Sequence, residues 1–202
     1  MIYKFTKKLL SLDLSTSCTG YSIFNMEHLS LIEYGTIVPN NKNLTKLLYP
    51  KQQLYRMLTL TKQIKDLIIR CEPDIILIEE IAGSKNRLSQ KVLDGFHFVL
   101  LFELKEFIDK IVYKDVTGCN GWRNDLKMVL TKEDKIKNKE RKELNKKIGK
   151  GQKKQPIISF KHLACRFANY QYRLNLNYDL DEKNGDIADS ICLGYAYLRG
   201  LK

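Results

Sequence analysis

At 202 residues the chain can bury one sizeable core but is short for two full domains. It reads as a single domain over residues 1–202 with a lysine-rich insertion at about 131–155. A formal charge of +12 and a pI near 9.4 point to a polyanionic partner, nucleic acid ahead of a membrane surface. Five scattered cysteines without a C-x-x-C pair indicate neither a zinc site nor a disulfide framework, and fit reduced intracellular thiols. No apolar run reaches membrane-spanning length. The run at Leu9-Leu10 is broken at once by Ser11 and Asp13, too soon for a signal peptide, so the expected compartment is cytoplasmic.

In chain order, residues 9–15 read as a strand, followed by a Thr19-Gly20 turn, a second strand at residues 21–24 and a third at 29–38. Three strands in succession suggest an antiparallel meander. Leu47, Leu54, Leu58, Ile64, Leu67 and Ile68 then recur at helical spacing, with Pro50 near the helix start and Pro73 ending it. Residues 74–80 form an apolar strand buried on both faces. A long amphipathic helix is expected over residues 84–110, a strand over 111–116, and a short helix from Trp122. From residue 132 to 154, eleven Lys or Arg face four Asp or Glu, with Ile136, Leu144 and Ile148 as apolar anchors. This segment reads either as a solvated, partly disordered connection or as an arm that tracks phosphates, through Lys135, Lys139, Lys142, Lys146 and Lys147 among others. A helix carrying Ile157, Phe160, Leu163, Ala164 and Phe167 follows, and a last one opens at about Asn184. The order fits an α/β domain with a mixed sheet.

The carboxylates carry the chemistry. Asp186 and Asp189 stand three apart at the start of the last helix, where two carboxylates can hold a divalent cation, or else cap a solvated helix end. Asp13 lies inside an apolar strand, where an ionised carboxylate costs several kcal/mol unless hydrogen-bonded or metal-bound. Glu79 and Glu80 end another buried strand. Adjacent strand residues point to opposite faces, so only one of the two can share a site with Asp13, and periodicity does not choose between them. Such a cluster suits two Mg²⁺ ions at a scissile phosphate. His28, His97 and His162 are not at ligand spacing and read as packing or surface residues. Trp122, Tyr170, Tyr172 and Tyr178 read as core or core-edge residues ahead of base-stacking ones.

Leu10-Ser11-Leu12-Asp13, then Thr19-Gly20-Tyr21-Ser22-Ile23, then Ile76-Leu77-Ile78-Glu79, then Asp186-Ile187-Ala188-Asp189-Ser190 resemble, in order and near spacing, the RuvC Holliday-junction resolvases, especially their phage-encoded relatives. The resemblance spans nearly the whole chain. It implies an RNase H-like fold with a mixed five-stranded sheet, three antiparallel strands first, flanked by helices. It further implies a homodimer, dependence on Mg²⁺ or Mn²⁺ with two ions per site, and paired nicking of four-way DNA junctions, with other branched DNA as a wider substrate class. The metal ligands it implies are Asp13, Glu79, Asp186 and Asp189, selecting Glu79 over Glu80. The resemblance implies that one or more of Lys153, Lys154 and Lys161 match the family's catalytic or phosphate-contacting lysine, with Lys154 expected as catalytic, Lys153 or Lys161 as its alternatives, and Lys153 and Lys161 also as DNA contacts. Lys85-Asn86 and Trp122-Arg123 resemble further family pairs on the DNA side. Two features depart from the bacterial enzymes: Ala82 stands where they carry an aromatic wedge, and the lysine-rich insertion has no counterpart there.

Two other readings compete. A sugar-kinase-like phosphotransferase also begins with a strand ending in Asp and followed by Ser, Thr and Gly, but it needs a second domain and a second Gly-rich loop, so no nucleotide cofactor is expected. A non-catalytic binder of branched DNA would need only the basic charge, and leaves Asp13 and the Asp-x-x-Asp pair without a purpose.

Overall fold

The computed structural model describes residues 7–39, 47–80, 87–118, 121–149, 152 and 154–201. Its sheet has the order β3-β2-β1-β4-β5, built from β1 (Lys8–Asp13), β2 (Thr19–Asn25), β3 (Ser30–Ile37), β4 (Ile75–Glu79) and β5 (Ile111–Lys114). The first three strands are antiparallel, and β4 and β5 run parallel to β1. This is the mixed five-stranded α/β architecture that the sequence implies.

Alternation along the central strands assigns each residue to a layer. Leu10, Leu12, Ile76 and Ile78 face α1 (Lys51–Cys71) and α2 (Arg87–Glu103), packing with Leu60, Ile64, Phe96 and Leu100. Leu9 and Leu77 face the other way, into a core with Trp122, Ala164, Ala188 and Ile191. That second layer consists of α3 (Trp122–Asp125), α5 (Phe160–Tyr172) and α6 (Lys183–Gly200), with α4 (Lys132–Lys147) outside it. Glu72 ends α1 in the left-handed region, its N–H returning to the Ile68 carbonyl, and Pro73 forbids continuation.

Several boundaries differ from those expected. The helix over residues 84–110 is α2 followed by a 3₁₀ turn, Lys105–Lys110, before β5, which stops at Lys114. Residues Ile157 and Ile158 precede α5 in an extended segment. Asp186 closes the first turn of α6 and Asp189 lies in the second, because the helix starts at Lys183 rather than Asn184. The pair is therefore placed by packing more than by helix-end N–H groups. Among the described residues no helix is long and apolar enough to cross a membrane.

The lysine-rich stretch departs furthest from expectation, since most of it is an ordered helix. Thr131 and Asp134 form a reciprocal capping box at the start of α4. Ile136 and Leu144 do not anchor it; they are exposed. The anchoring stripe is polar: Asp134, Asn138, Arg141 and Asn145, spaced i, i+4, i+7, i+11 on one face. Asp134 takes two bonds from the Arg166 guanidinium, at 2.8 and 2.9 Å. Asn138 donates to the Ile158 carbonyl (2.8 Å) and accepts from its N–H (2.7 Å), while Arg141 holds the Pro156 carbonyl and Asn145 brackets Gln155. The Asn138 amide is buried, so Asn138→Ala strands two backbone groups. We expect a loss of about 2–4 kcal/mol in urea unfolding, against near-neutral change for Ile136→Ala on the exposed face. Equal, small losses would show that the stripe does not hold α4.

Candidate active site

The same alternation that sorts the core builds the site. Asp13 follows Leu9 and Ser11 onto the α6 face of β1, and Glu79 follows Ile75 and Leu77 onto the α6 face of β4. β1 and β4 are paired in parallel with Leu12 opposite Ile78, so the next residues, Asp13 and Glu79, emerge side by side at the carboxyl ends of neighbouring strands. Glu80 points to the opposite layer, where it borders a pocket with Asp94, His97 and Tyr113.

α6 brings the other two carboxylates by lying very close to the sheet. Asp13 pairs with Gly20 on β2, and a Cβ on Gly20 would overlap the Asp186 carbonyl. Further along, a Cβ on Gly194 would overlap the Phe24 ring. Ser22 Oγ donates to the Ser190 carbonyl at 2.9 Å across this buried contact. Asp186 and Asp189 are thereby set over the end of β1.

Lys161, on the first turn of α5, reaches into the group. Its Nζ lies 2.7 Å from Asp186 Oδ1, 3.1 Å from Asp189 Oδ2 and 3.5 Å from Asp13 Oδ2. The Trp122 indole N–H, fully buried at the start of α3, donates to Glu79 Oε1 at 2.9 Å. Arg123 Nη2 stands 3.6 Å from Asp189 Oδ2, with its guanidinium between the Trp122 and Phe160 rings at 5.0 and 4.9 Å from their centroids.

Electrostatics follow from this crowding. Burial holds Asp13 well above the usual carboxylate range, and the charges of Glu79 and Asp189 push the same way against Lys161. Burial also raises Glu79, with Asp189 adding to it, while bonds from Trp122 and Asp13 work against the rise. Asp189 is raised by burial, opposed by Lys161 and Arg123. Burial alone would lower the Lys161 ammonium, but Asp189, Asp13 and Asp186 outweigh it and the group is held firmly charged. Burial and a hydrogen bond to Asp186 push the Cys18 thiol up to about 12, which keeps it protonated.

The donor set fits a hard divalent cation in kind: four carboxylates, with Asp189 Oδ1 buried and lacking any hydrogen-bond partner. Among the described residues no three Asp, Glu, His or Cys groups are spaced to share one ion as the side chains stand. Three of the carboxylates are instead arranged about the Lys161 ammonium.

Of the three lysines left open by the sequence, Lys161 is the one in the cluster. Lys154 is exposed in the segment leading to α5, and Lys153, Lys85 and Asn86 lie outside the described residues. Lys135, Lys139, Lys142, Lys146 and Lys147 are all on α4, away from the carboxylates. His97 is buried against Tyr113, and His162 Nδ1 accepts the Ser159 N–H while Nε2 meets Asp179, so neither enters the site. Sequence reasoning missed the hold of Trp122 on Glu79 and the contact of Cys18 with Asp186. The Trp122-Arg123 pair was visible, but nothing local showed that its indole would meet a strand-end glutamate.

The fold is that of the RuvC-type, RNase H-like resolvases. Thermus thermophilus RuvC in complex with a Holliday junction substrate superposes with a TM-score of 0.57 at 7% identity, covering 96% of this chain and 95% of that one. The yeast mitochondrial Holliday junction resolvase Ydc2 gives 0.50 at 14% identity, covering 96% and 80%. No protein-family model matches the chain and no curated protein sequence matches it.

Proposed function

We propose that this chain is a metal-dependent, structure-selective DNA endonuclease that resolves four-way junctions, acting as one RNase H-like domain that pairs into a homodimer. The observation that supports it is the gathering of Asp13, Asp186 and Asp189 around Lys161, with Glu79 beside Asp13 at the carboxyl ends of β1 and β4. These four carboxylates would hold Mg²⁺ or Mn²⁺, two ions per site, which supply a water of lowered pKa and charge stabilisation of the leaving oxygen. The ladder between β1 and β4 fixes the separation of Asp13 and Glu79, and Trp122 fixes the rotamer of Glu79. Lys161 places a positive charge beside the phosphate that is cut, where it stabilises charge developing on the non-bridging oxygens. Arg123, held against the Trp122 and Phe160 rings, offers its guanidinium to the same strand.

A four-way junction presents two equivalent strands, which a two-fold dimer cuts at related positions. On α2, Phe96 and Leu100 are consumed by the core, but Phe98 and Phe102 stay 74% and 70% exposed one turn apart, and we assign them to contact with the second copy. The test is a supercoiled plasmid bearing a cruciform, incubated with the protein and Mg²⁺. Paired nicking by a dimer gives linear product. Accumulation of open circle would overturn the dimer, and binding without any cut would overturn the nuclease.

A further inference from the structure

We infer that α4 is a rigid rail for the phosphate backbone of a DNA duplex arm, and that one stripe of four lysines, Lys135, Lys139, Lys142 and Lys146, makes the contact. The choice of DNA as occupant rests on the nuclease reading above; the rail itself rests on how α4 divides its charges. Eight of its sixteen residues are Lys or Arg and four are Asp or Glu, a mixture that in sequence order looks diffuse. On the helix it separates. At 3.6 residues per turn the four lysines recur at i, i+4, i+7 and i+11 and fall within one narrow face. They line a groove of about 390 Å³ together with Leu130 and Glu143. Glu133 and Glu140 point elsewhere, and Asp134 is consumed by Arg166.

A charge run on an exposed helix is ordinarily a solvated face, and two observations set this one apart. First, the helix is not free: its inner stripe is bonded to residues 155–158 and to Arg166, so the lysines hold a fixed position instead of waving on a linker. Second, the fixing points are the residues that lead into α5, which carries Lys161 into the carboxylate cluster. The stripe spans about 16 Å at 1.5 Å per residue. A stiff line of positive charge at a set distance from a strand-cutting site matches the regular negative charge of a duplex, about one per 1.7 Å of axis. The Lys146–Glu143 pair on this face is well exposed at both ends and is readily exchanged for a phosphate. Lys137 and Lys147 stand off the stripe. The expectation from sequence that Lys147 belongs with the others does not follow from the helix geometry.

The experiment is a salt titration of binding, without metal, to an immobile four-way junction and to a linear duplex of the same arm sequence. Wild type is compared with Lys135→Gln/Lys139→Gln/Lys142→Gln/Lys146→Gln, with the corresponding four-fold Arg variant, and with Lys137→Gln/Lys147→Gln. Each phosphate contact contributes about 0.9 to the slope of log K against log salt, so the Gln variant should flatten it by about 3 to 4 on both DNAs. The Arg variant should keep the wild-type slope, and the off-stripe pair should change it by less than about 1. An unchanged slope in the four-fold Gln variant, with a wild-type unfolding midpoint, overturns the rail. So does an off-stripe pair that costs as much per lysine, since the charge would then act diffusely. Because no cut is required, a protein that binds but never nicks sinks the nuclease reading and leaves this result standing on its own.

Discussion

Asp13→Asn and Asp189→Asn are each expected to slow single-turnover junction cleavage by about 10³-fold or more, with junction binding unchanged or tighter. Each removes a ligand oxygen from a cluster whose members cannot substitute for one another. Asp13 comes from a strand, Asp189 from the second turn of α6, and each is within 3.5 Å of the same ammonium. Binding tightens because one negative charge is removed beside a polyanion. Unfolding separates this from simple misfolding. Asp13 has a folded-state pKa raised above its unfolded value, so its ionisation erodes stability as pH rises through that raised pKa. An uncharged Asn does not suffer this, and the metal-free variant should be at least as stable as wild type at neutral pH. Glu79→Gln should be as inactive as these, whereas Glu80→Gln, on the opposite face of the sheet, should cut at close to the wild-type rate. Cleavage at a near wild-type rate by Asp13→Asn or Asp189→Asn, or a reversed Glu79 and Glu80 result, would dismantle the assignment of the site.

Among the described glycines, Gly20→Ala should be the most damaging single methyl. The nearest atoms to its Cβ would all be backbone: the Asp186 carbonyl, and the Ile187 nitrogen at 3.0 Å. Neither can rotate away, so α6 must lift from β2. Overpacking of this kind costs about 3 kcal/mol. Displacing Asp186 and Asp189 by even an ångström should lower cleavage by about 10²-fold in the molecules that remain folded. Gly95→Ala is the control. That glycine lies inside α2 with only the Met57 methyl at 3.8 Å, so alanine should stabilise by up to about 1 kcal/mol through helix propensity. Chemical unfolding and single-turnover cleavage of both variants decide the matter; a tolerated Gly20→Ala would mean that α6 does not sit where it is placed here.

The strands and the site carboxylates were legible because period-two alternation leaves a trace: an Asp in phase with Leu9 and Ser11 has to be buried with them. The same rule could not choose between Glu79 and Glu80 until the pairing of β1 with β4 was known, since phase on one strand says nothing about a neighbour. Lys161 could not be told from Lys153 and Lys154 for a similar reason; its reach depends on where α5 begins, and an extended segment precedes it. The α4 stretch reads in sequence as a solvated connection or a phosphate-tracking arm, and not as an anchored helix, because helix signals in sequence are apolar. Its stripe of Asp134, Asn138, Arg141 and Asn145 has helical spacing but is made wholly of polar groups, whose partners are the distant Arg166 side chain and backbone atoms up to twenty residues away.

The seating of α6 over β1 also bears on the timing of synthesis. Asp13 lies on β1 and Asp189 on α6, so the two meet only when that helix docks over the sheet. A ribosome-bound chain that has emitted all five strands still lacks half of its carboxylates, and the layer formed by Leu9, Phe24 and Leu77 is uncovered. If the chain is the nuclease proposed above, completion of this layer and competence to cut would arrive together, when α6 docks. On that reading, chains that stop short of α6, however basic, would carry an incomplete carboxylate cluster.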